Sequence, residues 1–164
     1  MSKTEKNLME AFAGESQANR KYLAFAKKAD SEGHAQVARL FRAAARAETV
    51  HAHSHFRVLG GVKGTAENLE EAIGGETHEF ESMYPQMIRE AEAEDNRAAR
   101  KSFEFANEVE KIHAALYRKA LESLGKNAET EYHVCKVCGN TVEGEPPEKC
   151  PICGAAGKAF EKVD

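Results

Sequence analysis

The stretch Ala47 to His55, "AETVHAHSH", sets Glu48 and His51 three residues apart, with His53 and His55 following at steps of two. In a helix, a three-residue step returns a side chain to the same face one turn on. Glu48 and His51 therefore project together, with Cβ atoms about 5 to 6 Å apart. His53 falls about 200° around from His51 and is expected to point outward. His55 comes back to the inner side a turn away, where a packed or hydrogen-bonded histidine is expected. The pair recurs as Glu110 and His113 in "EKIH". What that face meets depends on the segments around it.

From Glu5 to Leu124 the only proline is Pro85, and long runs of Ala, Glu, Lys, Arg and Leu favour helix. Turn signals interrupt these runs at "DSEGH" (30–34), "GGVKGT" (60–65) and "EAEDN" (92–96). Helices are predicted over 4–30, 34–59, 66–93 and 96–124, and short connections imply an antiparallel four-helix bundle. Steps of three and four trace one inward stripe on each helix. The stripes run through Leu8, Phe12, Glu15, Ala18 and Tyr22; Val37, Phe41, Ala44, Glu48, His51, His55 and Val58; Leu69, Ile73, Glu76, Phe80 or Glu79, and Met83; and Ala106, Glu110, His113, Tyr117 and Leu124. Every stripe carries acid where a hydrophobe is expected.

A lone glutamate at a bundle edge reaches water through its long stem. Four near the helix midpoints do not share that escape, and unpaired buried carboxylates cost several kcal/mol each. A cation among them is the physical alternative. The register agrees: the midpoint of Glu15 and Glu48 falls in "DSEGH", that of Glu76 and Glu110 in "EAEDN", and the separations are 33 and 34 residues. The bundle thus reads as two copies of one metal-bearing hairpin. One Glu from each of two helices and Glu-x-x-His from each of the other two is the ligand set of carboxylate-bridged di-metal bundles. Glu79 adds a surplus carboxylate near Glu76. Glu81 and Glu92, with His34 and His78, are assigned to the solvated surface.

A net charge of −4 and a pI near 6.0 give no reason to expect nucleic acid or an anionic membrane as partner. No apolar run approaches the roughly 18 residues of a membrane span, and "MSKTEKNLMEA" lacks the apolar core of a secretory signal. A soluble, cytoplasmic protein is expected. All four cysteines lie near the C-terminus as "CKVC" and "CPIC", spaced C-x2-C-x11-C-x2-C, a pattern that in a reducing compartment suggests metal ligation. Composition divides the chain into a helical domain over 1–128 and a cysteine module over 129–164. About 30 residues cannot bury a self-sufficient core, so a metal held by Cys135, Cys138, Cys150 and Cys153 is expected to hold the module together. The spacing admits a structural zinc ribbon or a redox-active single iron. Beside a redox di-iron site, a one-electron carrier has the evident use.

In "FAGESQANRKY", "AETVHA", "GETHEFESMYP", "ANEVEKIHAALY", "CKVCG" and "CPICG", taken in that order, the chain resembles the rubrerythrins over essentially its whole length. The resemblance implies a ferritin-like di-iron bundle followed by a rubredoxin-like domain. It implies two Fe ions held by Glu15, Glu48, His51, Glu76, Glu79, Glu110 and His113, with Glu48 and Glu110 bridging, and one Fe on the four cysteines. Zinc is able to enter either site in vitro. His51 and Glu79 match the pair that exchange on one iron between redox states, and Tyr22 and Tyr84 match tyrosines that hydrogen-bond near the site. The implied activity is a peroxidase that reduces hydrogen peroxide to water and protects against oxidative stress. A separate NAD(P)H-linked reductase or a rubredoxin would supply the electrons. The implied assembly is a homodimer, head-to-tail or helix-swapped, with the 60–65 loop as the place of a swap. Ferroxidase or iron-handling activity is the rival enzyme reading, and a non-catalytic zinc-ribbon protein the rival outside enzymes.

Overall fold

The computed structural model describes residues 1–163. The chain falls into two compact units, Met1–Lys63 and the part from Gly64 onward. No helix among the described residues is long and apolar enough to cross a membrane.

The first unit is a helical hairpin of α1 (Lys3–Ser31) and α2 (Ala35–Val58). A capping box starts α1: the Ser2 hydroxyl accepts the Glu5 N–H, and the Glu5 carboxylate accepts the Ser2 N–H. Gly33, at φ 82°, turns the chain back in a conformation that costs glycine no side-chain clash. Across the hairpin, the Asn19 amide donates to the Ala45 carbonyl (2.6 Å) and the Thr49 hydroxyl (2.8 Å), and Phe12 stacks on Phe56 at 4.8 Å. The buried residues of α2 are Ala38, Ala45 and Ala52, spaced by sevens, and those of α1 are Ala26 and Ala29. Seven residues make two turns, so the alanines form one seam along which small side chains let the backbones approach. The predicted inner stripe of α2 lies beside this seam. Phe41, Ala44, Glu48 and His55 are half-buried, whereas Val37 and Val58, expected inside, are 47% and 69% exposed.

The second unit begins with α3 (Thr65–His78), passes through a π turn (Glu79–Met83) into α4 (Tyr84–Ala93), and returns along α5 (Arg97–Glu122). The sequence predicts an unbroken α-helix over 66–93; the structure differs at the π turn, and Pro85 gives the reason. Its nitrogen carries no proton, and in a regular helix its ring would strike the carbonyl of Glu81. A wider turn absorbs both defects, and such turns concentrate at functional sites. Glu79 is its first residue. Asp95 takes a left-handed φ of 50°, and the Asn96 side chain caps α5 by accepting the Ala99 N–H at 3.1 Å. Arg118 of α5 reaches the Thr77 hydroxyl of α3 (2.8 Å), and the rings of Tyr84 and Phe103 lie 6.3 Å apart.

The same unit ends in a three-stranded antiparallel sheet of β1 (Tyr132–Cys135), β2 (Thr141–Glu143) and β3 (Phe160–Val163), ordered β2-β1-β3. Its small core is Phe160 with Cys135 and Cys150.

Candidate metal centres

Helix periodicity brings the carboxylates and imidazoles together within each hairpin. In the first unit, Glu15, Glu48 and His51 each offer a donor atom, all within 4.8 Å of one another. His51 Nδ1 lies 2.9 Å from Glu48 Oε2. In the second, Glu76, Glu110 and His113 form the matching group within the same 4.8 Å limit. His113 Nδ1 lies 2.7 Å from Glu110 Oε2 and 3.8 Å from Glu76 Oε1. Glu79 stands outside that group, half-buried at the start of the π turn.

The two triads are held differently. The His51 side chain is 55% exposed, and Glu48 is its one hydrogen-bonding partner among the described residues. His113 is 27% exposed and engaged at both nitrogens, because its Nε2 lies 2.9 Å from the Thr141 hydroxyl of β2. That hydroxyl gives its own proton to the Gly139 carbonyl at 3.2 Å. The hydroxyl thus sits between the imidazole and the knuckle, while Nδ1 faces the carboxylates of Glu110 and Glu76, a set of ligand atoms that suits a metal ion.

The surrounding acids and phenols register this crowding of negative charge. Burial raises the Glu76 pKa above its usual 4.5, as do a hydrogen bond shared with Glu110 and the Glu110 charge; His113 opposes them. Burial, then the Glu76 charge, raises Glu79. Tyr84 is raised by burial and by Glu79, Glu110 and Glu76, and Tyr117 by burial, Glu76 and Glu110. The sequence places Tyr117 on the inner stripe of α5 without assigning it to the site; the structure brings its phenol to the carboxylates. Tyr22 instead sits among rings, 6.3 Å from Phe25 and 6.1 Å from Phe41. His34, His53 and His78 are exposed and His55 is half-buried.

The cysteine module consists of two equivalent knuckles. Gly139 and Gly154 follow the second cysteine of each pair at φ 85° and 76°, and their N–H groups close onto the carbonyls of Cys135 (2.8 Å) and Cys150 (2.9 Å). Sulfur separations of 3.7 Å (Cys135 to Cys153) and 3.6 Å (Cys138 to Cys150) are far too long for disulfides. They match the edge of a tetrahedron with metal–sulfur bonds of about 2.3 Å. The thiols differ strongly in acidity. Burial pushes Cys138 up to about 12. Burial also opposes ionisation of Cys150, but the N–H groups of Cys153 and Ile152 bring it down to about 6. Asn140, 1% exposed, points its amide at the Cys150 sulfur from 3.7 Å. Beside His113, a cleft of about 350 Å³ between α5 and the sheet is lined by Leu116, Tyr117, Tyr132 and Thr141 among others.

Paired Glu-x-x-His hairpins and a tetrathiolate knuckle define a carboxylate di-iron protein with an attached rubredoxin-like module. The Rubrerythrin family matches residues 6–121, and the rubredoxin-like domain of rubrerythrin matches residues 133–161. Rubrerythrin-2 of Clostridium acetobutylicum is 36% identical over 171 residues, covering 94% of this chain and 93% of the relative. Nigerythrin of Nitratidesulfovibrio vulgaris is 37% identical, covering 92% and 81%. The solved fully reduced, all-ferrous state of nigerythrin aligns with a TM-score of 0.61 at 34% identity, over 99% of this chain and 88% of that one. The chain belongs to the rubrerythrin family, whose ferritin-like helical fold and rubredoxin-like module it shares. Its cofactors are those of the family, a carboxylate-bridged di-iron site and a four-cysteine iron.

Proposed function

We propose that this protein is a peroxidase that reduces hydrogen peroxide to water and protects against oxidative stress. The observation that carries the reading is the pairing of two Glu/His triads with a thiolate module whose Thr141 reaches His113. Glu15, Glu48, His51, Glu76, Glu110 and His113 would hold the two irons, with Glu79 in reserve, and the four cysteines would hold the third. Iron bound there in its reduced state would supply the two electrons that, with two protons, the reduction of hydrogen peroxide to two waters requires.

The chain's own residues suit the remaining tasks. Burial and the neighbouring Glu76 raise the pKa of Glu79, and a carboxyl of this kind beside the site is suited to act as a general acid. The phenols of Tyr84 and Tyr117 are likewise kept protonated beside the carboxylates. The exposed His51, held on one side only, would be the more readily displaced ligand, and Glu79 is the spare carboxylate that would substitute for it. His113, held on both nitrogens, is suited to stay. We further assign residues 1–128 to the di-iron domain and 129–164 to the electron carrier. The assembly we propose is a cytoplasmic homodimer supplied by an NAD(P)H-linked reductase or a rubredoxin.

Substituting Glu79 by Ala tests the reading. Peroxide turnover should fall, while helical content and the visible spectrum of the four-cysteine iron stay unchanged. Full turnover in Glu79→Ala would remove Glu79 from the mechanism. A colourless native preparation would support a zinc ribbon and exclude the electron carrier.

A further inference from the structure

The cysteine module rests on α5 along a matched line. The Cα of Gly139 turns toward the buried Val109, where an added methyl would sit 3.8 Å from the valine Cγ1. Two residues on, Thr141 meets His113 at 2.9 Å, and Glu143 pairs with Lys119. One hydroxyl then joins two centres. The Thr141 hydroxyl lies 2.9 Å from His113 Nε2 and 3.2 Å from the carbonyl of Gly139, the residue after Cys138.

We propose that Thr141 is a positioning residue of the di-iron site. It fixes the His113 ring with Nδ1 toward Glu110 and Glu76, and it ties that ring by two hydrogen bonds to the Cys138 knuckle of the same chain. The link rests on the reading of the two centres as partners in one reaction. A histidine bound through Nδ1 needs its other nitrogen protonated and anchored, because the partner there sets tautomer and orientation. His113 obtains that anchor from the electron-carrying module, whereas His51 has no counterpart among the described residues.

The test compares full-length Thr141→Val, which keeps the branched shape without the hydroxyl, with Thr141→Ser, which keeps the hydroxyl. In zinc-loaded, diamagnetic protein, ¹H and ¹⁵N spectra of the His113 ring report the hydrogen bond at Nε2 through the shift and solvent exchange of its proton. The native chain and Thr141→Ser should show an Nε2–H protected from exchange. Thr141→Val should lose roughly tenfold of that protection, the effect of one hydrogen bond. In the iron-loaded, fully reduced protein given one equivalent of peroxide, Thr141→Val should slow recolouring of the four-cysteine iron. Thr141→Ser should restore it. A native-like Nε2–H exchange rate and recolouring rate in Thr141→Val would overturn the proposal, as would a serine variant that behaves like valine. Failure of peroxide to oxidise the carboxylate site in the native chain would count against the peroxidase reading, while the ring spectra, which need no oxidant, would still decide the link.

Discussion

Replacing Glu110 by Gln should stabilise the metal-free protein and weaken the metal-loaded one. Without metal, the donor atoms of Glu76, Glu110 and His113 lie within 4.8 Å of one another, and the Glu110 charge helps to raise the Glu76 pKa. Two ionised carboxylates at that distance repel by about 1 to 4 kcal/mol, depending on the effective dielectric. The neighbouring His113 offsets part of this. The net gain from Glu110→Gln is therefore about 1 kcal/mol, a rise in Tm of about 2 to 4 °C for a chain of this size. Glutamine retains hydrogen-bonding capacity toward His113 Nδ1, so the comparison isolates charge. With metal bound the sign reverses. Loss of a bridging carboxylate costs at least about tenfold in affinity, or about 1.4 kcal/mol, and the metal-induced rise in Tm shrinks accordingly. The assay is thermal melting followed by helical circular dichroism at pH 7, without metal and with anaerobic Fe(II). A metal-free variant that melts below the native chain, or one that keeps the full metal-induced rise, would refute the assignment of Glu110 to a shared metal site.

The metal-free chain should lose stability as pH rises above about 4.5. Glu76 and Glu79 have folded pKa values above that unfolded reference, so their contribution is fully present below 4.5 and lost as pH climbs through the raised values. Denaturant midpoints between pH 4 and 7 check this, and Fe(II) should cancel the trend. Asn140→Leu should lower the reduction potential of the four-cysteine iron by about 20 to 60 mV, since removing one N–H donor to a thiolate disfavours the more negative reduced state. Its stability should hardly suffer, because the substitution also removes the buried Asn140 Oδ1, which has no hydrogen-bond partner. A dye-coupled redox titration and a melt separate the two effects.

Much of this was legible in the sequence because two periodicities and one spacing carry it. Glu48 with His51, and Glu110 with His113, meet as the three-residue helical step requires, and the turns at Gly33 and Asp95 fall inside the predicted breaks. The cysteine spacing and its two glycines specified both knuckles. What the pattern missed came from effects that periodicity does not encode. Pro85 was visible, but not that a π turn would absorb it and begin at Glu79. The stripe rule placed Val37 and Val58 inside, whereas a seam of alanines closes the first hairpin and leaves both exposed. Thr141 carried no signal toward His113, since 28 residues and a change of secondary structure separate them. Only the docking of β2 on α5 joins them.

The central claim is peroxide reduction at the carboxylate site with electrons returned from the cysteine iron. Its most direct test is anaerobic stopped-flow of the fully reduced protein mixed with stoichiometric hydrogen peroxide, run in parallel with oxygen. The account predicts rapid reoxidation of both iron centres by peroxide and markedly slower reoxidation by oxygen. Reoxidation that is slow with peroxide, or faster with oxygen, would contradict it and favour iron oxidation as the activity.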